Sequence, residues 1–197
     1  AIKEFMASGW VEEILVPPGG SRLFEESAGL PVLTPAQQSA VNAIAAKTNE
    51  FNAWLLHGVT GSGKTEVYLR LISLLLRQGR QTLVLVPEIN LTPQLEASFR
   101  TRFPSIRMVS LHSALNASER AAGWLQAQQA EAQLILGTRL AVFTPLPKLG
   151  LIIVDEEHDA SFKQQEGFRY SARDVAVFRA QQHKCPVVLG SATPSLE

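Results

Sequence analysis

Cysteine is almost absent: Cys185 is the single thiol in 197 residues. One sulfur cannot close a disulfide within the chain or build a thiolate-rich zinc site. So little cysteine suits a reducing cytoplasm. An excess of one charge is missing too, because 18 Lys and Arg stand against 18 Asp and Glu. That excludes a histone-like polyelectrolyte, and any nucleic-acid contact must come from a local patch. Long apolar runs are also lacking. Leu149–Val154, broken by Gly150, and Leu83–Val86 fall far short of the roughly 20 residues that cross a bilayer. Ala1–Trp10 shows no basic start followed by an apolar block, so neither a membrane partner nor a secretory leader is expected. His57, His112 and His183 show no metal-ligand spacing, and no zinc is expected.

What is present is a core. The chain is 46% hydrophobic and only 18% charged, a balance that folds rather than stays disordered. The length fits one domain or one and a half. The chain opens without Met and stops at Thr193-Pro194-Ser195-Leu196-Glu197 with no terminating element. A piece of something larger is expected.

Residues 1–32 differ from the rest. Trp10–Val16 reads as one strand, with Trp10 packing an N-terminal module, and Pro17-Pro18-Gly19-Gly20 is a strong breaker cluster. This stretch is read as the end of a preceding module plus a linker. Residues 33–197 form the main unit. Thr34 and Pro35 open a helix as cap and first helical residue. Strands are then predicted at Ala53–His57, Thr82–Val86, Arg107–Leu111, Leu134–Leu136, Leu151–Val154 and Val187–Leu189. Helices are predicted between them at Lys64–Gln78, Thr92–Arg102, Ser118–Ala130 and Ala172–Gln182. Gly79 is the expected stop of the first of these. Gln126–Gln133 reads as helix with a polar face; Trp54, Trp124 and Phe178 read as core. Alternating strands and helices, with strands apolar on both faces, predict an α/β fold with a mainly parallel sheet and helices on either side.

Gly58-Val59-Thr60-Gly61-Ser62-Gly63-Lys64-Thr65 fits the phosphate-loop pattern at every position, between a strand and a helix. Glycines let such a loop curl its backbone N–H groups around phosphate oxygens, and the helix adds its positive N-terminal end. Lys64 reaches the outer phosphates and Thr65 offers a hydroxyl to Mg²⁺. Leu151-Ile152-Ile153-Val154-Asp155-Glu156-Glu157-His158 is a buried strand whose carboxylates emerge at its C-terminal end, where such sheets bind ligands. Asp155 there would hold the Mg²⁺ shell, and Glu156 would orient and deprotonate water. Gly190-Ser191-Ala192-Thr193 ends the last strand, either as an ordinary turn or as a hydroxyl link from the phosphate side to another surface. Phe162, Lys163, Phe168, Arg169, Tyr170 and Arg173 cluster soon after the acids. Such a cluster offers base-stacking faces and phosphate-neutralising cations. The alternative is that Phe162 or Phe168 is core.

Taken together, these residues resemble the motifs of a superfamily 2 helicase, in the right order. The stretches Leu56–Tyr68, Leu111-His112-Ser113, Ser161–Gly167 and Tyr170–Asp174 are similar to the bacterial primosomal replication-restart helicases. The resemblance covers about Leu33 to Glu197 and implies a RecA-like P-loop NTPase lobe that uses ATP or ADP with Mg²⁺. It implies that Gln37 reads adenine and that Glu66 belongs to the nucleotide-binding stretch. It also implies that Glu157, His158, Ser191 and Thr193 couple hydrolysis to DNA, and that Pro87, Thr92, Gly137, Thr138 and Arg139 contact single-stranded DNA. Phe162, Lys163, Phe168, Arg169 and Tyr170 correspond to the family's aromatic-rich DNA-coupling loop.

The activity implied is ATP-driven 3′-to-5′ unwinding at stalled forks in the bacterial cytoplasm, associated with the nucleoid. The implied partners are forked or single-stranded DNA, single-strand-binding protein and other primosome proteins. Residues 1–32 would be the tail of a winged-helix module. The family's second motor lobe, with its arginine finger, and its cysteine-rich zinc module find no counterpart, so the lobe alone is expected to bind nucleotide without turnover. Three other readings stay open on the residues: a small-molecule kinase, a non-catalytic DNA- or partner-binding lobe, and another superfamily 2 translocase.

Overall fold

The computed structural model describes residues 30–194; the expectations for Trp10–Val16 and Pro17–Gly20 lie outside them. Helix α1 (Pro35–Ala45) opens on a capping box, in which the Thr34 hydroxyl accepts from the Gln37 amide and the Gln37 side chain accepts from the Thr34 amide. That satisfies two backbone donors the first turn would otherwise leave bare. Strand β1 (Ala53–His57) leads through the glycine loop into α2 (Lys64–Arg77). Then follow β2 (Gln81–Leu85), α3 (Pro93–Arg102), β3 (Met108–Leu111) and α4 (Ala117–Gln128). Strands β4 (Leu134–Gly137) and β5 (Leu149–Val154) come next. After a short hairpin of β6 (Lys163–Gln164) and β7 (Tyr170–Ser171), α5 (Ala172–His183) returns the chain to β8 (Val187–Ser191).

The six long strands are all parallel, in the order β1-β8-β5-β2-β4-β3. Alternation along each strand feeds two cores. Leu83, Leu85, Ile152 and Val154 face one, where Ala127 of α4 and Ala172, Ala176 and Ala180 of α5 pack. Val84, Val86, Leu151 and Ile153 face the other, against Leu71, Ile72 and Leu75 of α2 and Phe99 of α3. This is the α/β fold the apolar runs predict, a RecA-like lobe. Strand β8 lies between β1 and β5, so the loop after β1 and the acids after β5 flank the turn after β8.

Several local expectations change. As the last strand in the sheet, β1 leaves Ala53, Leu55 and His57 exposed and half-buries Trp54 and Leu56 on its other face. Phe178 is 59% exposed rather than core. Helix α5 lies on the sheet through alanines spaced four apart, and a residue two places from Ala176 points about 200° away. Trp54 and Trp124 are half-buried. Helix α4 ends before the Gln-rich stretch does, because Ala130 adopts φ +56° and turns the chain. Among the described residues no helix is long and apolar enough to cross a membrane.

Candidate active site

The glycine loop hangs between two anchored ends. The Gly58 amide donates to the Ser191 carbonyl (3.1 Å), tying the loop's start to the end of β8, and the Ser62 amide donates to the Val59 carbonyl (3.0 Å). Val59, Thr60 and Gly61 are exposed at the tip. Gly63 closes the loop with φ +80°, a left-handed conformation that favours glycine. A Cβ there would also lie 2.4 Å from Gln37 Nε2. Gln37 in turn donates to the Ser62 carbonyl (3.0 Å) while its oxygen completes the α1 cap. In this conformation Gln37 braces the phosphate loop, a role the sequence did not suggest.

Lys64 opens α2 with Nζ donating to the Gly58 carbonyl at 2.7 Å, and it lies 3.8 Å from Glu156 Oε1. Thr65 is exposed beside it. Glu66 turns elsewhere: it accepts from Arg70 Nε (2.8 Å) and from Arg102 of α3 (2.9 Å). Its carboxylate therefore links two helices behind the loop.

The acids enter from β5. Asp155 donates its amide to the Leu85 carbonyl and accepts from Tyr68 Oη at 2.9 Å. Burial pushes the Asp155 carboxyl up, and the Glu156 charge adds to this; the Tyr68 hydrogen bond and Lys64 oppose it. Burial first, then the charge of Asp155, raises the Tyr68 phenol far above its usual range, so it stays a donor. Glu156 has φ +48°, rare for a residue with a side chain and costing about 1–3 kcal/mol. Its neighbours hold it there, since the Asp155 and Glu157 amides donate to Leu85 and Gly190.

Glu157 is buried and pairs with Arg173 at 3.2 Å. His158 lies between the turn's hydroxyls, with Nδ1 2.7 Å from Ser191 Oγ and Nε2 3.3 Å from Thr193 Oγ1. It also stands 3.8 Å from Glu156 Oε2. The loop, the acids and the Ser191–Thr193 turn thus meet at one end of the sheet.

The residues read as DNA-contacting divide. Phe168 is 79% exposed, and its ring centroid lies 6.0 Å from that of Tyr170. Tyr170, Arg169 and Lys163 line a cavity of about 530 Å³ on the β6–β7 hairpin. Phe162 is a correction: at 1% exposed it belongs to the core and offers no stacking face. Arg173 is held by Glu157 and Asp174 rather than turned to a strand. Arg139 donates to the Ser161 and Lys163 carbonyls (both 3.2 Å), so it braces the hairpin's base. Gly137 and Thr138 are buried, as is Pro87. Thr92 caps α3, accepting from the Leu95 amide at 3.2 Å. Tyr68 is the site residue the motifs missed. Its spacing offered a signal, because it stands one helical turn after Lys64 on the same face of α2.

The donor set suits a magnesium–nucleotide pair. Thr65 and Asp155 are hard oxygen donors next to a loop of backbone amides, and Mg²⁺ is usually held by one or two carboxylates together with substrate phosphates. Among the described residues no group of three or more His, Cys, Asp or Glu is placed to hold a metal ion.

Comparisons with known proteins agree with this geometry. The chain is 46% identical over 188 residues to the replication restart protein PriA of Bacillus subtilis (strain 168), covering 94% of the chain and 23% of that protein. It is 51% identical over 181 residues to the PriA of a Synechocystis strain, covering 89% of the chain and 22% of that protein. The chain therefore spans about a quarter of the length of the curated relatives it matches. Among solved structures, RecG bound to a three-way DNA junction superposes with a TM-score of 0.61 at 26% identity, over 84% of this chain and 22% of that one. The family model for DEAD/DEAH box helicases matches residues 34–197, which takes in every element from α1 to β8. The chain belongs to the DEAD/DEAH box helicase family.

Proposed function

We propose that residues 33–197 are the ATP-binding first motor lobe of a DNA helicase that moves 3′-to-5′ and acts in replication restart at stalled forks. The observation that carries this reading is the approach of Lys64 to Glu156 across the site, 3.8 Å, with Asp155 beside it. A phosphate-holding cation facing a carboxylate pair at one end of the sheet forms an ATPase arrangement. The names of the Bacillus and Synechocystis relatives support the restart assignment, and the RecG likeness, solved on a DNA junction, supports a forked substrate.

Each residue has a part in the proposed chemistry. The Gly58–Thr65 amides and Lys64 hold the phosphates, and Gln37 stands on the adenine side. Thr65 and Asp155 would hold Mg²⁺, which when bound neutralises phosphate charge. Glu156 orients the attacking water and accepts its proton. Catalysis here is positioning and charge stabilisation. His158 and the Ser191–Thr193 turn relay between Glu156 and the DNA side, where Phe168, Arg169, Tyr170 and Lys163 receive bases and phosphates. Single-strand-binding protein and primosome proteins are the proposed partners, in the bacterial cytoplasm at the nucleoid.

Titration with a fluorescent ATP analogue tests the nucleotide site. Lys64→Ala should weaken binding at least tenfold, and unchanged affinity would mark the loop as idle. The 197-residue chain should bind nucleotide yet show almost no turnover, since an arginine finger from a second lobe is worth on the order of 10³–10⁵ in rate. DNA-stimulated hydrolysis by the isolated chain would refute the single-lobe reading.

A further inference from the structure

One tyrosine and one glycine join two parts of the site. Helix α2 packs on β5 and β2, Asp155 follows β5, and β8 is the next strand on the other side of β5. Tyr68, 2% exposed, reaches Asp155 from α2, with Oη donating to Asp155 Oδ1 at 2.9 Å. Its hydroxyl lies against Gly190 of β8. A Cβ on Gly190 would lie 1.6 Å from Tyr68 Oη, 2.9 Å from its Cζ and 3.2 Å from Asp155 Oδ1. No side chain larger than hydrogen fits while the phenol is in place. Gly190 has no positive φ, so the demand for glycine comes from this close approach and not from the backbone. Its carbonyl accepts from the Glu157 amide (3.0 Å), which holds the contact point against the acidic turn.

We propose that Tyr68 is a positioning residue for the magnesium-binding carboxylate: passing over Gly190, it fixes the Asp155 side chain from behind. The proposal rests on the nucleotide site described above and deepens it. A donor that orients a metal-binding carboxylate typically affects metal affinity by about 10–100-fold. Because Lys64 and Tyr68 share α2, the phosphate-binding cation and the carboxylate that serves the metal are placed by one rigid helix. Gly190 is then a passage for the phenol, separate from the hydroxyls of Ser191 and Thr193, which face His158.

The test uses the full-length protein that carries this lobe, with Tyr68→Phe, which keeps the ring and removes only the donor. Fluorescent ADP is titrated in EDTA, then at a series of Mg²⁺ concentrations. The expected result is unchanged affinity in EDTA and about a tenfold rise in the Mg²⁺ concentration giving half the metal effect. Manganese binding followed by electron paramagnetic resonance, with ADP present, should weaken in parallel. Gly190→Ala, which displaces the phenol, should give the same shift and add little when combined with Tyr68→Phe.

An unchanged Mg²⁺ requirement in Tyr68→Phe would overturn the proposal. So would equal loss of affinity in EDTA and in Mg²⁺, which would mean that the hydroxyl supports the whole pocket. Additive effects of the two substitutions would also sink it. If the wild-type protein fails to bind ADP under either condition, the nucleotide-site reading itself is wrong and this proposal falls with it.

Discussion

Lys64 Nζ and Glu156 Oε1 lie 3.8 Å apart, although 92 positions in the chain (156 − 64) separate them. Lys64 donates to the Gly58 carbonyl and Glu156 stands in the left-handed region, so both charged groups are held in place by the backbone around them. Such preorganisation is what a charge-stabilising site needs.

Removing the charge of Glu156 should separate binding from chemistry. Glu156→Gln keeps the size and the hydrogen-bonding carbonyl but cannot accept a proton from water. DNA-stimulated ATP hydrolysis by the full-length protein should fall on the order of 10²–10⁴-fold, with nucleotide affinity within about threefold of wild type. Unaltered turnover would remove Glu156 from the mechanism.

Arg173 should matter for folding more than for DNA. Its guanidinium faces the Glu157 carboxylate at 3.2 Å, and the Glu157 side chain is only 4% exposed. Arg173→Ala leaves that carboxylate buried without this cation, a loss of about 3–5 kcal/mol in urea unfolding. The double substitution Arg173→Met with Glu157→Leu should cost less than the single one. A neutral Arg173→Ala would contradict the pairing.

Phe162 and Phe168 should behave oppositely. Phe162→Ala empties a core position and should cost about 3–5 kcal/mol of stability. Phe168→Ala, on the exposed hairpin, should leave the unfolding curve almost in place. It should weaken single-stranded DNA binding by about 1–3 kcal/mol in a fluorescence anisotropy assay. Comparable DNA defects with comparable instability would show that the hairpin is only scaffold.

Cys185 should be inert while the protein is folded. Burial pushes its thiol up to about 11, with Arg80 and Arg179 pulling the other way. At pH 8 a thiol reagent should label it only after unfolding. The native state keeps its proton while the unfolded chain releases it. Stability from this group is therefore present below the ordinary thiol pKa and lost as pH rises towards about 11. Cys185→Ala should flatten that part of the pH–stability curve; rapid labelling of the native protein would refute the buried thiol.

Short-range chemistry made much of this protein readable in one dimension. The Gly58–Thr65 spacing, the apolar run into Asp155 and the caps at Thr34 and Gly79 each act within a few residues, so the strands, helices and phosphate loop follow from local pattern. What folding in three dimensions added is partnership across the chain. Phe178 turned outward because alanines let α5 lie close to the sheet. Phe162 turned inward, Arg139 and Arg173 bound carbonyls and carboxylates, and Tyr68 found Asp155 because α2 packs on β5 and Gly190 of β8 leaves room for the phenol. Hydrophobic periodicity says that a residue sits on a face; which neighbour it meets there depends on strand order and on close packing between distant segments, and no local spacing encodes that.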